Sequence, residues 1–342
     1  MNRIIAVLCL IGLCGIVSAQ EEDRFNANIG DSIELTGLLE AEAYSAYYRT
    51  RRDSDVILDR AEVNLRIIIN ESLSINTMFL FEEDVVDPME LEEAYFSYEF
   101  QNMRLRGGRK ILPFGSFETF MIVDPLTREL GQITESAVLF MYDFGMGQVE
   151  GGFFNGDIGI DQPSVDEIIN NVFLSATFKP PVEGLEIGAA YITNIADTNR
   201  MEYQWLFLPV PEVQDAVPAV AVWGRYKFGR FNFLLEYIMA STEFDDLDLD
   251  IDGDGNGDQP SAINAEASYM YSEQITFAVR YGISDEFLDY PLSILSAGVR
   301  YYLTKEVSLA AELGYFDHDG DLAAPLARDD GQGATVQFRA TF

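Results

Sequence analysis

The sequence predicts an all-β fold: a transmembrane antiparallel β-barrel of about sixteen strands, with short turns at one end and long loops at the other. Three observations carry this expectation. Many segments of roughly ten residues alternate apolar and polar side chains with period two. Beyond the first twenty positions no apolar run is long enough for a membrane-spanning helix. The connections between the alternating segments are in turn short and long.

The N-terminal residues set the compartment. Arg3 supplies a positive start, and Ile4 to Val17 is an uncharged apolar run of 14 residues. A helix of that length spans only about 21 Å, too short for a hydrocarbon core of about 30 Å. Val17-Ser18-Ala19 has the small-residue pattern of a cleavage site, so residues 1–19 read as a signal peptide cut before Gln20. A short periplasmic segment is expected over 20–32 and the barrel over 33–342. An export lipoprotein is the alternative, but Cys14 follows Leu13 rather than a small residue.

Cys9 and Cys14 are the only cysteines, and His318 the only histidine. A mature chain without cysteine has no disulfide framework, thiol nucleophile or thiolate metal site. One histidine weighs against Ser-His-Asp and histidine-rich metal catalysis. No enzyme motif stands out, and none is expected. The net charge of −35 argues against nucleic acid as a partner. Yet 48% of residues are hydrophobic, with 17 Tyr and 24 Phe, which disordered acidic chains lack. Acid and apolar surface must therefore be segregated, and a closed barrel does this with every backbone group paired.

In chain order the strands are expected at about 33–48, 55–69, 73–83, 91–100, 103–110, 136–143, 147–156, 171–179, 184–194, 217–228, 231–243, 261–272, 274–284, 291–303, 306–316 and 333–342. The last is the clearest: Val336, Phe338, Ala340 and Phe342 share one face, opposite Gln337, Arg339 and Thr341. A terminal aromatic on such a strand resembles the signal read by barrel-assembly machinery. Ala61, Val63, Leu65 and Ile67 likewise oppose Arg60, Glu62, Asn64 and Arg66. The apolar face meets outer-membrane lipid and the polar face an aqueous lumen. Sixteen strands leave room for a channel. Short connections, such as 70–72, 229–230 and Lys305, face the periplasm; long ones, such as 111–135, 195–216 and 244–260, face outward. A homotrimer would need a flat apolar patch on the outer wall.

Basic side chains recur on the polar face: Arg60, Arg66, Arg104, Arg106, Lys110, Arg225, Lys227, Arg280, Arg300 and Arg339. They line either a partly basic conduit for anions or a wall stiffened by salt bridges to Glu40, Glu42, Glu62, Glu236, Glu266 and Glu312. Loop 111–135 is too apolar for a solvated loop. Pro113, Phe114, Phe117, Asp124 and Arg128 are expected in a constriction folded into the lumen, by analogy with the third loop of general porins. A structural plug is the other reading. Loop 244–260 carries Asp248, Asp250, Asp252, Asp254 and Asp258 with the spacing of half a calcium loop. Its twelfth-position Glu is missing, so weak calcium binding competes with a solvated acidic loop that bridges lipopolysaccharide through divalent cations. No cofactor is otherwise required.

Gly37-Leu38-Leu39-Glu40, Glu82-Glu83-Asp84, Glu93-Ala94-Tyr95, Gly108-Arg109-Lys110, Pro113 through Thr119, Asp124-Pro125-Leu126-Thr127, Glu129-Leu130-Gly131, Glu135-Ser136-Ala137 and Phe154-Asn155-Gly156-Asp157 together resemble the LbtU-type siderophore porins of the outer membrane. The resemblance covers about a third of the chain. It implies a porin-like sixteen-stranded barrel that takes up a ferric siderophore, of polycarboxylate type in the founding member, by facilitated diffusion without a plug domain. A general or anion-preferring porin, and a structural or adhesive surface barrel with a divalent-cation-binding loop, are the alternative expectations.

Overall fold

The computed structural model describes residues 32–48, 51–83, 88–160, 169, 171–205, 212–251, 254–287, 290–318 and 330–342. The expected signal peptide and most of segment 20–32 lie outside the described residues. In chain order the strands are β1 Ile33–Tyr48, β2 Arg52–Ile68, β3 Leu73–Phe81, β4 Met89–Phe100, β5 Met103–Ile111, β6 Thr134–Asp143, β7 Gly147–Phe154, β8 Gly159–Ile160, β9 Asn171–Phe178, β10 Leu185–Ile192, β11 Glu212–Val213, β12 Ala219–Phe228, β13 Phe231–Ala240, β14 Ser261–Met270, β15 Ile275–Asp285, β16 Ser293–Tyr302, β17 Val307–Asp317 and β18 Gly331–Thr341. Two helices, α1 Leu126–Gly131 and α2 Asn199–Trp205, lie in the long connections.

Sixteen strands close a barrel in which β1 pairs β18, while β8 and β11 form a separate two-residue parallel pair. Every barrel pairing is antiparallel; all join successive barrel strands except the β1–β18 seam, which matches Leu38 with Thr341 through Tyr48 with Gly331. The expected strands are all present, with ends displaced by a few residues. β8, β11 and the helices leave no measurable periodicity in the sequence because they are two-residue strands and helices of six and seven residues.

The distribution of side chains is the reverse of that in a water-soluble protein. Glu312 is 3% exposed and its neighbour Leu313 is 66% exposed. Phe79, Phe96, Phe140, Leu174, Leu235, Val279 and Leu295 also face outward, whereas Ser175, Asn264, Ser296 and Gln337 are buried inside. A continuous apolar belt over a closed sheet is stable only in a bilayer, and the two faces together make an outer-membrane barrel. Two irregularities enrich the inner wall. The register shifts between Met78 and Phe79, setting Glu92 as an extra residue between Leu91 and Glu93. Leu91 is exposed and Glu92 buried, so the bulge turns consecutive acids inward. A second shift lies between Glu40 and Glu42, opposite Asp59.

The seam ends on Phe342. Gly37 N–H donates to the Phe342 carbonyl at 2.8 Å, and Phe342 N–H returns a bond to Gly37 at 3.0 Å. The Phe342 ring lies where a Cβ on residue 37 would stand, 2.2 Å from Cζ. Gly37→Val is therefore expected to unseat Phe342 and destabilise the closed barrel by about 1–3 kcal/mol. The check is the temperature at which the unheated barrel loses its compact electrophoretic mobility; an unchanged transition would sink the seam argument.

Candidate functional site

The connection between β5 and β6, residues 112–133, turns back into the barrel. Its apolar residues explain why. Leu112, Phe114, Leu126, Leu130 and Ile133 are at most 2% exposed and join one core with Ile195, Met201, Val217 and Phe244 of the neighbouring loops. Phe117 packs against that core, half-buried.

Polar anchors fix the loop at mid-height. Glu236 on β13 accepts from Ser116 N–H at 2.6 Å, from Phe117 N–H at 3.3 Å and from Thr127 Oγ1 at 2.7 Å. Glu266 on β14 accepts from Phe120 N–H at 2.6 Å and Thr119 Oγ1 at 2.7 Å. Glu312 on β17 accepts from Ile122 N–H at 2.6 Å and Val123 N–H at 3.0 Å. Each such bond to an ionised group contributes about 1.5–3 kcal/mol. Gly115, at φ 126°, and Phe117, at φ 54°, turn the amides of 116 and 117 towards Glu236. A Cβ at Gly115 would meet the Phe117 ring at 2.5 Å, so this turn requires glycine.

The basic residues expected on the pore wall fall into four groups. Arg60 pairs with Glu62 and Glu82, Arg66 with Glu34, Arg104 with Glu99, Lys110 with Glu93 and Arg339 with Glu40, at 2.9–3.6 Å. Arg225 bridges Glu118 of the loop, at 2.7 Å, and Glu186 on β10, at 3.2 Å. Arg106, Lys227 and Arg300 have no carboxylate partner among the described residues; Arg106 stacks over the Tyr95 ring at 5.8 Å, and Arg300 donates to Ser308 at 3.3 Å. Arg280 departs from the expectation. It is 2% exposed, donates to the Val123 carbonyl at 2.5 Å and pairs with Glu312 at 3.3 Å. It is a buried anchor beneath the loop rather than a cation on the open wall, because the loop covers that stretch of β15.

Of the expected constriction residues, Phe114 is an apolar anchor, and Pro113 follows Leu112 at the loop's entry. Asp124 and Arg128 pair with each other at 2.6 Å, and Arg128 Nε also donates to Gln132 at 2.7 Å. The Asp124 charge lies within electrostatic reach of Asp59, Arg60 and Glu42 on the facing wall, and the Arg128 charge within reach of Asp59. The loop thus lies against β13–β17 and presents Asp124 and Arg128 towards β1 and β2.

In the loop with calcium-like spacing, the described carboxylates hold backbone amides. Asp250 accepts from Asp254 N–H and Gly255 N–H, both at 3.1 Å; Asp258 from Ile251 N–H at 2.6 Å; Asp248 from Gln214 N–H at 2.8 Å. Asp252 lies outside the described residues. These carboxylates cap their own loop and its neighbour. Among the described residues, the group with metal-ligand spacing lies elsewhere: Glu135, Asp157 and Glu202, with oxygens within 4.8 Å of one another. Beside it, Asp197 is buried and accepts from Ile158 N–H, Asn171 Nδ2 and Asn194 Nδ2 at 2.8–3.0 Å. Burial pushes Glu202 up to about 7, with Asp157 and Glu135 adding repulsion, and pushes Asp197 up to about 6 against its three donors. Local sequence does not reveal this cluster because its members come from strand β6 and from two separate connections. The Asn194-x-x-Asp197 pair was the one local signal.

No protein-family model matches the chain. Two curated relatives do, both UPF0422 proteins: one from Coxiella burnetii, 27% identical over 53% of this chain and 40% of its own length, and one from Legionella pneumophila, 24% identical over 63% and 45%. The chain spans less than half the length of these relatives. Solved structures share the fold along nearly the whole chain. The outer membrane channel DcaP of Acinetobacter baumannii is 15% identical with a TM-score of 0.65, covering 94% of this chain and 100% of that one. An anion-selective porin from Comamonas acidovorans is 11% identical with a TM-score of 0.68, over 91% and 99%. OmpF of Salmonella typhi is 13% identical with a TM-score of 0.63, over 91% and 98%. The fold is that of an outer-membrane porin barrel.

Two outcomes follow from this geometry. Glu266→Gln is expected to cost about 1–3 kcal/mol, and Glu312→Gln, which strands the buried Arg280 charge, about 3–5 kcal/mol. Both should expose Arg128, the one basic residue of the loop, to trypsin; resistance in both variants would refute the clamp. Separately, the raised acids keep protons in the folded state that the unfolded chain loses above about pH 4. Stability of the loop cap should therefore fall as pH rises from about 4 to about 7 and stay level above that. Glu202→Gln should raise hydrogen-exchange protection of 195–205 at pH 8 and change it little at pH 4.

Proposed function

We propose that the chain is an outer-membrane porin that passes small solutes by facilitated diffusion, narrowed by its own third loop rather than by a folded plug. The observation that carries this reading is the clamp of Glu236, Glu266 and Glu312 on loop amides. A loop that only filled space would need burial alone. This one is held at seven backbone and hydroxyl donors, with its charged Asp124 and Arg128 directed to the facing wall.

The cargo we assign is a ferric siderophore. Support comes from the resemblance to LbtU-type porins, whose most specific residues, 113–119 and 124–131, form the clamped loop. A general anion-preferring porin is the second reading, favoured by Arg106, Lys227 and Arg300, which lack carboxylate partners among the described residues. In either reading, exposed apolar residues meet lipid and the acidic loops meet lipopolysaccharide through divalent cations. The outer wall is open to a homotrimer.

Uptake of labelled ferric siderophore by cells with and without the protein tests the cargo. Equal uptake would leave the general porin. In planar bilayers, Arg106→Glu with Arg300→Glu should shift the reversal potential in a salt gradient towards cation preference; an unmoved potential would remove these residues from the conduit.

A further inference from the structure

The chain has four lysines, Lys110, Lys179, Lys227 and Lys305, and three of them line one cavity. That cavity, about 1240 Å³, lies at the short-turn end of the lumen beneath Phe120 of the clamped loop, bounded by turns 179–184, 229–230 and 303–305. Five basic side chains line it, Arg225 and Arg230 being the others, against three acids, Glu183, Glu186 and Glu273. Glu186 is already held by Arg225 and Lys179. Lys227 and Lys305 are exposed and make no ion pair among the described residues.

The opposite end has the reverse charge. Asp215, Glu243, Asp245, Asp246, Asp254 and Glu286 are exposed on the long loops. The long-loop connections contain no lysine. Arg51, Arg52 and Arg200 lie over the rings of Tyr48, Tyr47 and Tyr290, and Arg128 of the inward loop is paired with Asp124.

We infer that the lumen is electrically polarised along its axis, an acidic mouth leading past the loop to a lysine-lined, anion-accumulating vestibule, and that the channel therefore rectifies ionic current. This rests on the porin reading. The physics is that of two fixed-charge zones in series. The acidic mouth enriches cations and the vestibule enriches small anions. A voltage that drives each carrier from its enriched end towards the middle fills the lumen with ions. The opposite voltage empties it. Fixed charge controls the lumen only while the screening length is comparable to its radius: about 10 Å at 0.1 M salt, about 3 Å at 1 M.

The test is single-channel recording in potassium chloride with the full chain. At about 0.1 M salt and about 100 mV of either sign, currents should differ by roughly 1.5- to 3-fold, and the ratio should approach one at about 1 M. The sense of the asymmetry should invert between channels inserted in opposite directions. Lys179→Gln, Lys227→Gln and Lys305→Gln combined should bring the low-salt ratio close to one while conductance persists. These side chains are solvent-facing, so folding is not at stake; unchanged compact mobility on gels confirms it. Symmetric currents at low salt, or rectification untouched by the triple substitution, would overturn the polarised vestibule and leave the porin reading standing. No conducting steps at all would overturn both.

Discussion

Backbone pairing in a medium without water is the constraint on which this structure depends. An unpaired N–H or C=O at membrane depth costs several kcal/mol, so no strand can be an edge. Closure of β1 on β18 removes the last one. Once the sheet closes, alternation does the rest. Every second side chain must suit lipid, and the remainder share a lumen in which polar groups have water, each other, or the returning loop as partners. The exposed leucine beside the buried glutamate at 312–313 is that rule applied to consecutive residues.

The acidity of the chain then divides into distinct jobs. Wall acids at mid-height receive loop amides. Wall acids on β1, β4 and β10 neutralise the basic residues that alternation places near them. Loop acids cap their own turns or face solvent. A carboxylate suits the clamp because it accepts several bonds at once and offers no donor to compete with amides. Its desolvation is offset only when the donors arrive together, as they do on Glu236. The loop conformation and the buried acids therefore stabilise each other, and neither stands without the other.

Much of this was legible in the sequence and some was not. Strand number, closure and the direction of each face followed from period two, because lipid and water enforce it at every position. The inward fold of the third loop followed from Phe114, Leu126 and Leu130, too apolar for solvent. What could not be read was which wall residues would meet the loop. Arg280 has the same alternation as Arg300, yet one is covered and the other reaches Ser308 and Gln337. That difference is set by where residues 119–123 come to rest, a contact across more than a hundred residues. The cluster of Glu135, Asp157 and Glu202 is hidden for the same reason. The spacing in 244–260 suggested calcium from a local pattern alone; what the sequence could not show is that Asp250 also holds the amides of Asp254 and Gly255.

A narrowing held this way differs from one held by apolar packing alone. Side chains that merely fill a lumen can repack, and loops on such surfaces open at low cost. Here the backbone of residues 116–123 is fixed by charge-assisted bonds to three strands, and the strands are fixed by a closed ladder. The passage between Asp124 and Arg128 of the loop and the β1–β2 wall is thus set by the barrel itself. In the porin proposed above, discrimination among solutes depends on the fixed charges and the width of that passage, with no ligand-driven rearrangement required. Such a fixed narrowing suits the diffusion channel proposed above, which has no energy source to move a gate.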